Sequence, residues 1–222
     1  MSRIYRLAEH FVSINGEGQH AGELALFLRF AGCNLRCDWC DTAWACGKDA
    51  PHEQVTLAQI TQIAEDAVKE NVCNVTLTGG EPLLQEGIAD VMQRLCEMGL
   101  RVEIETNGAV PLKPFYGKSG VCFTMDYKLP SSKMERFMCT ENFALLGRAD
   151  TVKFVCGSRE DVFRAEAIAA EYQPDCPLYL SPVFGRITPA EIVEIMRERH
   201  MGGFRLQLQL HKFIWDPNAR GV

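Results

Sequence analysis

The sequence predicts an α/β protein with a mostly parallel sheet, folded as an incomplete, open TIM-like barrel. Apolar runs typical of buried strands alternate with segments of helical periodicity along the chain. Short polar motifs follow the strands, at the edge where parallel α/β folds bind ligands. The chain offers six or seven strands, and residues 107–121 leave too little chain for an ordinary helix. A closed eightfold barrel is therefore not expected.

The individual elements follow from local patterns. Strands are expected over residues 24–30, 75–77, 101–105, 121–125, 151–155, 178–180 and 204–210. Helices are expected over residues 56–70, 87–98 and 159–172, with another helix that opens at residue 188. Thr56 and Thr188 are suitable N-caps, Pro189 suits the first position of a helix, and Gly99 is a natural C-terminal stop.

Composition limits the class of protein. The 222 residues are 47% hydrophobic, which is sufficient for a single domain over residues 1–222. The net charge is −6 and no block of like charge occurs, so neither a nucleic-acid partner nor a membrane partner is expected. No long apolar segment follows the N-terminus, which argues against a signal peptide or a membrane span. The ten cysteines then indicate a reducing cytoplasm rather than disulfides.

Three cysteines carry the strongest chemical signal. Cys33, Cys37 and Cys40 have the spacing C-x3-C-x2-C. Three such thiolates can hold three irons of a cubane [4Fe–4S] cluster, and the fourth iron then stays open to a cofactor. This arrangement suggests one-electron chemistry on a small molecule.

Two further segments suit the same site. Residues 78–82, Thr-Gly-Gly-Glu-Pro, follow a strand, and two glycines let the backbone approach a ligand closely. Asp41 and Thr42 directly follow the last cysteine of the motif. A hydroxyl group there could join a Mg²⁺ site that water and an anionic substrate complete.

The cysteine motif and residues 78–82 resemble the signature of radical S-adenosylmethionine (SAM) enzymes. Four other stretches narrow the resemblance: residues 11–18 (Phe-Val-Ser-Ile-Asn-Gly-Glu-Gly), 40–42 (Cys-Asp-Thr), 103–108 (Glu-Ile-Glu-Thr-Asn-Gly) and 209–213 (Gln-Leu-His-Lys-Phe). Together they resemble the 7-carboxy-7-deazaguanine synthases of the pathway to queuosine and other 7-deazapurines. The resemblance covers nearly the whole chain, so residues 1–222 would form one radical SAM core domain.

The resemblance implies a carbon–nitrogen lyase. Enzymes of this family convert 6-carboxy-5,6,7,8-tetrahydropterin into 7-carboxy-7-deazaguanine and release ammonia. The reduced cluster cleaves SAM, the resulting 5′-deoxyadenosyl radical takes a hydrogen atom from C6, and the ring contracts before a hydrogen atom is returned. The cofactors would be a [4Fe–4S] cluster, SAM and Mg²⁺. Homodimers and an electron donor such as flavodoxin or ferredoxin are also implied.

Site residues are carried over by the same resemblance. Substrate contacts would come from Ile14, Asn15, Gly16, Arg29, Thr78 and Pro217. SAM contacts would come from Trp39, Cys40, Asp41, Gly80, Glu81, Asp126, Tyr127, Lys128 and Ser181. The cluster would be held by Cys33, Cys37 and Cys40, and Mg²⁺ by Thr42. The fork of an arginine suits a planar carboxylate, which is the role implied for Arg29.

The sequence also departs from the family pattern. Members often have Gln where Asn15 stands, so the pterin contact there could come from the backbone. In some members a C-terminal proline lies at the substrate, whereas five residues follow Pro217 in this chain. His211 matches the His-Lys pair near the C-terminus of family members, but the resemblance assigns it no role.

Two alternative functions stay open at this level. A glycyl-radical activase shares the cysteine spacing and would act on a large protein partner, although the motifs outside the cysteine loop argue against it. A zinc-stabilised interaction module would need Cys46, His52 or His20 as its fourth ligand, and no second C-x2-C unit follows. That module would leave residues 78–82 without an explanation.

Overall fold

The structure is a computed structural model that describes residues 3–217 and 219–222. Asn218, which belongs to the segment after Pro217, lies outside the described residues, as do Met1 and Ser2. In the described part of the chain, one sheet has nine strands: β1 (Ile4–Ile14), β2 (Leu24–Phe30), β3 (Glu53–Thr56), β4 (Asn74–Gly79), β5 (Arg101–Thr106), β6 (Val121–Tyr127), β7 (Thr151–Cys156), β8 (Leu178–Pro182) and β9 (Phe204–Leu206).

The strand order is β3-β1-β2-β4-β5-β6-β7-β8-β9. Seven strands, β2 and β4 to β9, pair in parallel, whereas β1 pairs antiparallel with both β2 and β3. Over the described residues the sheet is not closed, because β3 and β9 end the order at opposite sides. The predicted open, mostly parallel barrel is confirmed.

Among the residues that the structure describes, six α-helices accompany the sheet: α1 (Ala43–Cys46), α2 (Leu57–Lys69), α3 (Ile88–Glu97), α4 (Arg159–Tyr172), α5 (Pro189–Glu198) and α6 (His211–Ile214). The predicted N-caps are confirmed, since Thr56 and Thr188 each form a capping box with the residue three positions later. α2 packs its face of Ile60, Ala64 and Ala67 into the core. None of the described helices has the length and hydropathy needed to cross a bilayer.

The expected count of six or seven strands is wrong, and the two additional strands are antiparallel. The seven predicted strands are the seven parallel ones, whereas β1 and β3 were not predicted. β1 contains an irregularity in register between Leu7 and Glu9, which interrupts the alternation of buried and exposed residues along the strand. The last strand is also shorter than expected: β9 ends at Leu206, and α6 begins at His211.

Candidate functional site

A cavity of about 520 Å³ opens at the carboxyl ends of the parallel strands. Most of the predicted site residues line it: Ile14, Gly16, Arg29, Cys33, Cys37, Trp39, Cys40, Asp41, Thr42, Thr78, Gly80, Asp126, Lys128 and Pro217. These residues come from segments more than 200 positions apart in the chain. Their roles stay predictions, but the fold brings them to one chamber.

The three motif cysteines face this chamber in different environments. Hydrogen bonds from Cys46 lower the pKa of Cys33 and of Cys40 to about 6, whereas burial raises the pKa of Cys37 to about 11. Cys33 Sγ also accepts hydrogen bonds from the Leu35 amide at 3.4 Å and from Asn107 Nδ2 at 3.5 Å. A single Cys46 S–H can serve one of these two sulfurs at a time, so the surroundings favour a thiolate at Cys33 or Cys40 over one at Cys37.

Three thiols around one chamber fit a cubane cluster. Cys46 Sγ lies 3.8 Å from Cys40 Sγ and donates toward the Thr42 carbonyl at 3.4 Å. Among the residues that the structure describes, no three His, Cys, Asp or Glu side chains converge on a single metal ion. A cubane needs a different arrangement, because each thiolate binds its own iron. The donor set of soft, partly ionised sulfurs is the one such a cluster takes.

Gly79 and Gly80, at the end of β4, let the cysteine loop approach the sheet. Gly80 donates its N–H to the Phe30 carbonyl at 3.0 Å, and Glu81 donates to the Gly32 carbonyl at 2.9 Å. A Cβ on Gly80 would lie 2.2 Å from the Gly32 oxygen and 2.9 Å from Cys33 Cβ. The glycine thus has a packing reason here that is independent of any ligand.

Glu81 has a different environment from the one expected of a SAM contact. Its carboxylate is fully buried and does not line the cavity. It accepts hydrogen bonds from the amides of Leu83 and Asn107 at 3.1 and 2.7 Å and from the Thr106 hydroxyl at 3.0 Å. Burial raises its pKa to about 7. In this structure the carboxylate joins the end of β4 to the end of β5.

Three other predicted residues lie behind the cavity wall. Asn15 is buried, its side chain accepts from Thr76 Oγ1 at 2.8 Å, and its backbone groups pair with residues 22 and 23. Tyr127 packs its ring against Phe143 and Phe154 in the core. Ser181 is buried and reaches Glu17 at 3.3 Å. These positions can support the site, but in this structure they do not line it.

Asp126 and Lys128, by contrast, project into the cavity from the end of β6. Their side chains form an ion pair of 2.8 Å, and Lys128 Nζ lies 5.3 Å from the centre of the Trp39 ring. Burial opposes the charge on Lys128, but Asp126 outweighs it and the pKa is raised. Asp126 Oδ1 is buried without a hydrogen-bond partner among the described residues. Such an oxygen beside a cavity indicates a place for a polar ligand group.

A buried ion pair that the sequence did not single out lies next to Asp126. Lys153 in β7 binds Glu17 at 2.8 Å and lies 3.7 Å from Asp126. Burial favours the neutral form of Glu17, but the Lys153 ammonium outweighs it and lowers the pKa of Glu17. One feature of the sequence could have indicated this pair: Lys153 is the single charged residue in the apolar run of β7. Every residue of β7 is buried, and a buried lysine is normally paired.

Arg29 is held by a partner on the neighbouring strand. Its Nε donates to Glu9 at 2.7 Å, and Glu9 lies directly opposite it in the β1–β2 register. Both side chains line the cavity, beside the stacked rings of Phe11 and Phe27, whose centres lie 5.1 Å apart. An Nε anchored in this way sets the orientation of the whole planar guanidinium.

The C-terminal segment closes one side of the chamber. Lys212 Nζ binds Asp41 at 3.3 Å, and a Cβ on Gly16 would lie 2.7 Å from His211 Nδ1. Arg220 lies over the Trp44 ring at 4.4 Å. Residues 219–222 also line the cavity, so the segment that follows Pro217 remains at the site. Nothing in the sequence pattern pointed to Trp44 or Arg220.

Comparisons with known proteins agree with this geometry. The radical SAM superfamily profile matches residues 28–116. The 7-carboxy-7-deazaguanine synthase of Clostridium acetobutylicum is 50% identical over 98% of this chain and 99% of its own length. The enzyme of the same name from Methanospirillum hungatei is 35% identical over 96% of this chain and 86% of its own.

Solved structures show the same fold. QueE from Escherichia coli superposes with a TM-score of 0.76 at 20% identity, over 92% of this chain and 93% of its own. SuiB from Streptococcus suis, solved with S-adenosylmethionine, gives a TM-score of 0.57 over 82% of this chain and 48% of its own, at 12% identity. Together with the full-length identity to the Clostridium enzyme, these matches establish that the chain belongs to the 7-carboxy-7-deazaguanine synthase family of radical SAM enzymes.

Proposed function

We propose that this chain converts 6-carboxy-5,6,7,8-tetrahydropterin into 7-carboxy-7-deazaguanine and ammonia, in the biosynthesis of queuosine or related 7-deazapurines. The observation that carries the proposal is that the three motif cysteines and Arg29 line one cavity of about 520 Å³. SAM on a cluster and a substrate carboxylate on Arg29 could then share one cavity. The full-length relatives of the same name support the same reaction.

Cys33, Cys37 and Cys40 would hold the [4Fe–4S] cluster. When bound, the reduced cluster and SAM supply a 5′-deoxyadenosyl radical, the species that removes a hydrogen atom from the substrate. Asp126 and Lys128 present a carboxylate and an ammonium to the cavity, which suit the amino and carboxylate groups of SAM. Trp39 lies beside them as a flat surface for an aromatic ring.

Arg29 would bind the carboxylate of the pterin. Glu9 occupies only Nε, which leaves the two terminal nitrogens to form the parallel hydrogen bonds of a bidentate pair. The stacked rings of Phe11 and Phe27 line the same part of the cavity and suit the faces of a bicyclic ring. The chain's contribution is thus to fix the position of the reacting carbon relative to SAM.

Thr42 would be the protein ligand of Mg²⁺. It stands at the N-terminus of α1 but makes no side-chain cap hydrogen bond, so its hydroxyl is not committed to the helix. It lines the cavity, and its oxygen lies 3.6 Å from Cys40 Sγ. Mg²⁺ commonly keeps few protein ligands, and the substrate carboxylate and water would complete its shell.

The enzyme would also act as a homodimer. α6 and the residue after it expose three large apolar side chains, Phe213 (62%), Ile214 (54%) and Trp215 (36%). They are not packed under the chain, and a second copy could cover them. Light scattering at several protein concentrations tests this assembly, with Phe213→Ser as the variant that should weaken it.

Anaerobic turnover tests the proposed reaction. The enzyme is reconstituted, reduced with dithionite and supplied with SAM, Mg²⁺ and 6-carboxytetrahydropterin, and the product is followed by absorbance and mass. We expect 7-carboxy-7-deazaguanine and ammonia in equal amounts, no product from Cys37→Ala and slower turnover with Thr42→Ala. Arg148→Ala, an exposed position whose ion pair with Asp175 is solvent-accessible, is the matched control.

Two outcomes would redirect the proposal. Cleavage of SAM without consumption of the pterin would favour the glycyl-radical activase. A colourless protein that contains zinc and no iron would favour the interaction module. Metal analysis of the purified protein separates the second outcome from the first before any turnover is attempted.

A further inference from the structure

Arg29 has a fixed acidic partner on the neighbouring strand. In the antiparallel pairing of β1 and β2, Glu9 lies directly opposite Arg29, and its Oε1 accepts the Nε–H of Arg29 at 2.7 Å. The side chain of Arg29 is 16% exposed and that of Glu9 is 21% exposed, and both line the cavity. The pair is thus shielded from water far more than a surface ion pair, whose long side chains move freely.

An extra residue in β1 brings Glu9 to this position. Leu7 pairs with Phe30, and Glu9 pairs with Arg29. Two steps along β1 therefore match one step along β2, and Ala8 is the extra residue. A regular register would set Ala8 opposite Arg29 and turn Glu9 to the other face of the sheet, because successive side chains alternate between the faces. Bulges of this kind next to a binding site commonly redirect a side chain.

The shifted register continues into the aromatic part of the cavity wall. Phe11 lies opposite Phe27, two residues away from Glu9 and Arg29 along each strand, and therefore on the same face of the sheet. The two rings stack and line the cavity. The extra residue in β1 thus brings both a charged pair and an aromatic pair to the cavity, which indicates that Glu9 is placed for the site rather than for the core.

The strand on the other side of Arg29 does not hold the guanidinium. Thr78 of β4 lies beside Arg29 in the parallel register of β2 and β4, but its hydroxyl donates to Glu105 at 2.6 Å. Among the residues that the structure describes, Glu9 is the acid within ion-pair distance of Arg29. The orientation of the guanidinium therefore depends on one side chain, that of Glu9.

We propose that Glu9 is a positioning residue that acts through Arg29 and sets the affinity of the enzyme for the carboxylate of the pterin. The inference rests on the proposed function, because it takes Arg29 as the residue that binds this carboxylate. An arginine that turns freely loses rotamer freedom when its ligand binds. The contact with Glu9 imposes that loss when the protein folds, so the terminal nitrogens of Arg29 already face the substrate.

The charge of Glu9 acts in the opposite direction to its hydrogen bond. A carboxylate beside Arg29 reduces the attraction of the guanidinium for a second carboxylate, so loss of the charge alone would tighten binding of the substrate. Loss of the hydrogen bond frees the guanidinium and would weaken binding. The two effects have opposite signs, and a variant that keeps the acceptor oxygen but not the charge separates them.

The test compares the binding of two unreactive, fully oxidised pterins, 6-carboxypterin and the pterin that lacks the carboxyl group. Anaerobic equilibrium dialysis against the reconstituted, SAM-loaded and unreduced enzyme gives both dissociation constants without turnover. We expect Glu9→Ala to weaken the binding of 6-carboxypterin roughly fivefold and to leave that of the unsubstituted pterin unchanged. Glu9→Gln, whose amide oxygen still accepts from Arg29 Nε, should stay within about twofold of the unmodified enzyme.

A double-mutant cycle shows whether Glu9 acts through Arg29. In a protein that already carries Arg29→Ala, the further change Glu9→Ala should cause no additional loss of affinity for 6-carboxypterin. Glu166→Ala is the matched control, because Arg199 Nε donates to Glu166 at 2.6 Å in the same kind of contact, and other residues line the cavity. This variant should bind both pterins as the unmodified enzyme does.

The outcomes distinguish this inference from the proposed function. A preference for 6-carboxypterin that Glu9→Ala leaves intact, or tighter binding of 6-carboxypterin by both Glu9 variants, would overturn the role of Glu9 alone. An equal loss for both pterins in Glu9→Ala would also overturn it, since general damage to the cavity does not discriminate between them. An unmodified enzyme without any preference for 6-carboxypterin would overturn the proposed function as well.

Discussion

The cavity has two walls that hold their functional groups in different ways. The cluster wall is one short loop, residues 33–42, together with Gly80. Gly80 and Glu81 donate backbone hydrogen bonds to residues 30 and 32, just before this loop, and the Cys33 amide donates to the Cys46 carbonyl. The charged wall is made of Glu17, Asp126, Lys128 and Lys153, which come from separate segments and are held by their mutual ion pairs. The first wall depends on close approach of backbones, the second on balance of charge.

The same contrast appears among the buried carboxylates. The contrast is local: Glu17 has a cation at 2.8 Å and its pKa is lowered, whereas the hydrogen bonds of Glu103 with the described residues come from two uncharged donors, Thr124 Oγ1 at 2.6 Å and Asn15 Nδ2 at 3.4 Å. For Glu103 the effect of burial is larger than that of its hydrogen bonds, and it raises the pKa to about 7. A cation in direct contact, rather than depth alone, thus sets the direction in which the pKa of a buried acid shifts.

Loss of the central cation should have the largest effect on stability. Lys153→Met keeps much of the volume of the side chain but leaves Glu17 buried without its cation, whereas Asp126 keeps its ion pair with Lys128. Because a buried charge without its partner is costly, we expect the free energy of unfolding to fall by about 3–5 kcal/mol. Urea unfolding of the anaerobically purified variant and of the unmodified protein at neutral pH measures this loss of unfolding free energy.

Lys69→Met provides the control for this prediction. It removes an equally short ion pair, with Asp66 at 2.7 Å, from an exposed position. Exposed pairs are screened by solvent and contribute little to stability, so this variant should remain close to the unmodified protein. Similar losses for both lysines would show that the charged wall does not depend on its balance of charge.

The two walls also differ in how far the sequence could predict them. The cluster wall is contiguous, so the spacing of Cys33, Cys37 and Cys40 was visible before folding. Lys153 and Glu17 meet only because β7 and the turn after β1 converge, and their separation of 136 residues leaves no local pattern. Likewise the parallel strands were predicted from their continuous apolar runs, whereas the antiparallel β1 and β3 were missed.

Family resemblance assigns roles to positions, and the environments of those positions come from the structure. The ligand contacts expected of Glu81 and Asn15 stay predictions; in this structure both side chains are buried in hydrogen bonds with neighbouring strands. A motif fixes which residues stand at a strand's end. Whether a side chain turns into the cavity or into the sheet depends on its three-dimensional neighbours, which a single sequence does not contain.

The raised pKa of Glu103 predicts that the stability of the protein depends on pH. The pKa of Glu103 rises from 4.5 to about 7 on folding, so the folded state holds its proton where the unfolded state has lost it. Stability from this group is therefore complete below about pH 4.5 and declines as the pH rises to about 7. At about 1.4 kcal/mol per pKa unit, the decline is roughly 3 kcal/mol.

Glu103→Gln should remove this decline. Unfolding free energies of both proteins across that pH range provide the comparison, and Glu81, whose pKa also rises to about 7, leaves a residual slope in the variant. Identical pH profiles for the variant and the unmodified protein would mean that Glu103 is ionised in the folded state.

The cluster wall should be sensitive to a single methyl group. In Gly80→Ala the new Cβ would meet the Gly32 oxygen at 2.2 Å, so the cysteine loop must move. We expect a loss of about 1–3 kcal/mol in stability and less iron per chain after reconstitution. Gly202→Ala is the matched control, since nothing lies within 4 Å of its Cβ position. Full iron content in both variants would contradict the close-approach role of Gly80.

The smallest effect is expected from Cys46, which touches the cluster wall without belonging to the motif. Its pKa is raised by its hydrogen bonds to Cys33 and Cys40, so it keeps its proton and can donate to a cluster thiolate. Such a donor stabilises the added charge of the reduced cluster. Cys46→Ala should therefore shift the midpoint potential to a more negative value, on the order of tens of mV.

Cys46→Ser separates this effect from a change in packing. Its hydroxyl can still donate, so an electron-paramagnetic-resonance redox titration should place its potential closer to that of the unmodified enzyme than to that of Cys46→Ala. Equal potentials for all three proteins would mean that the thiol lies outside hydrogen-bonding range once the cluster is bound. Asn107, which donates to Cys33 Sγ at 3.5 Å and to Asn34 Oδ1 at 2.8 Å, would then be the side chain that stabilises this end of the cluster wall.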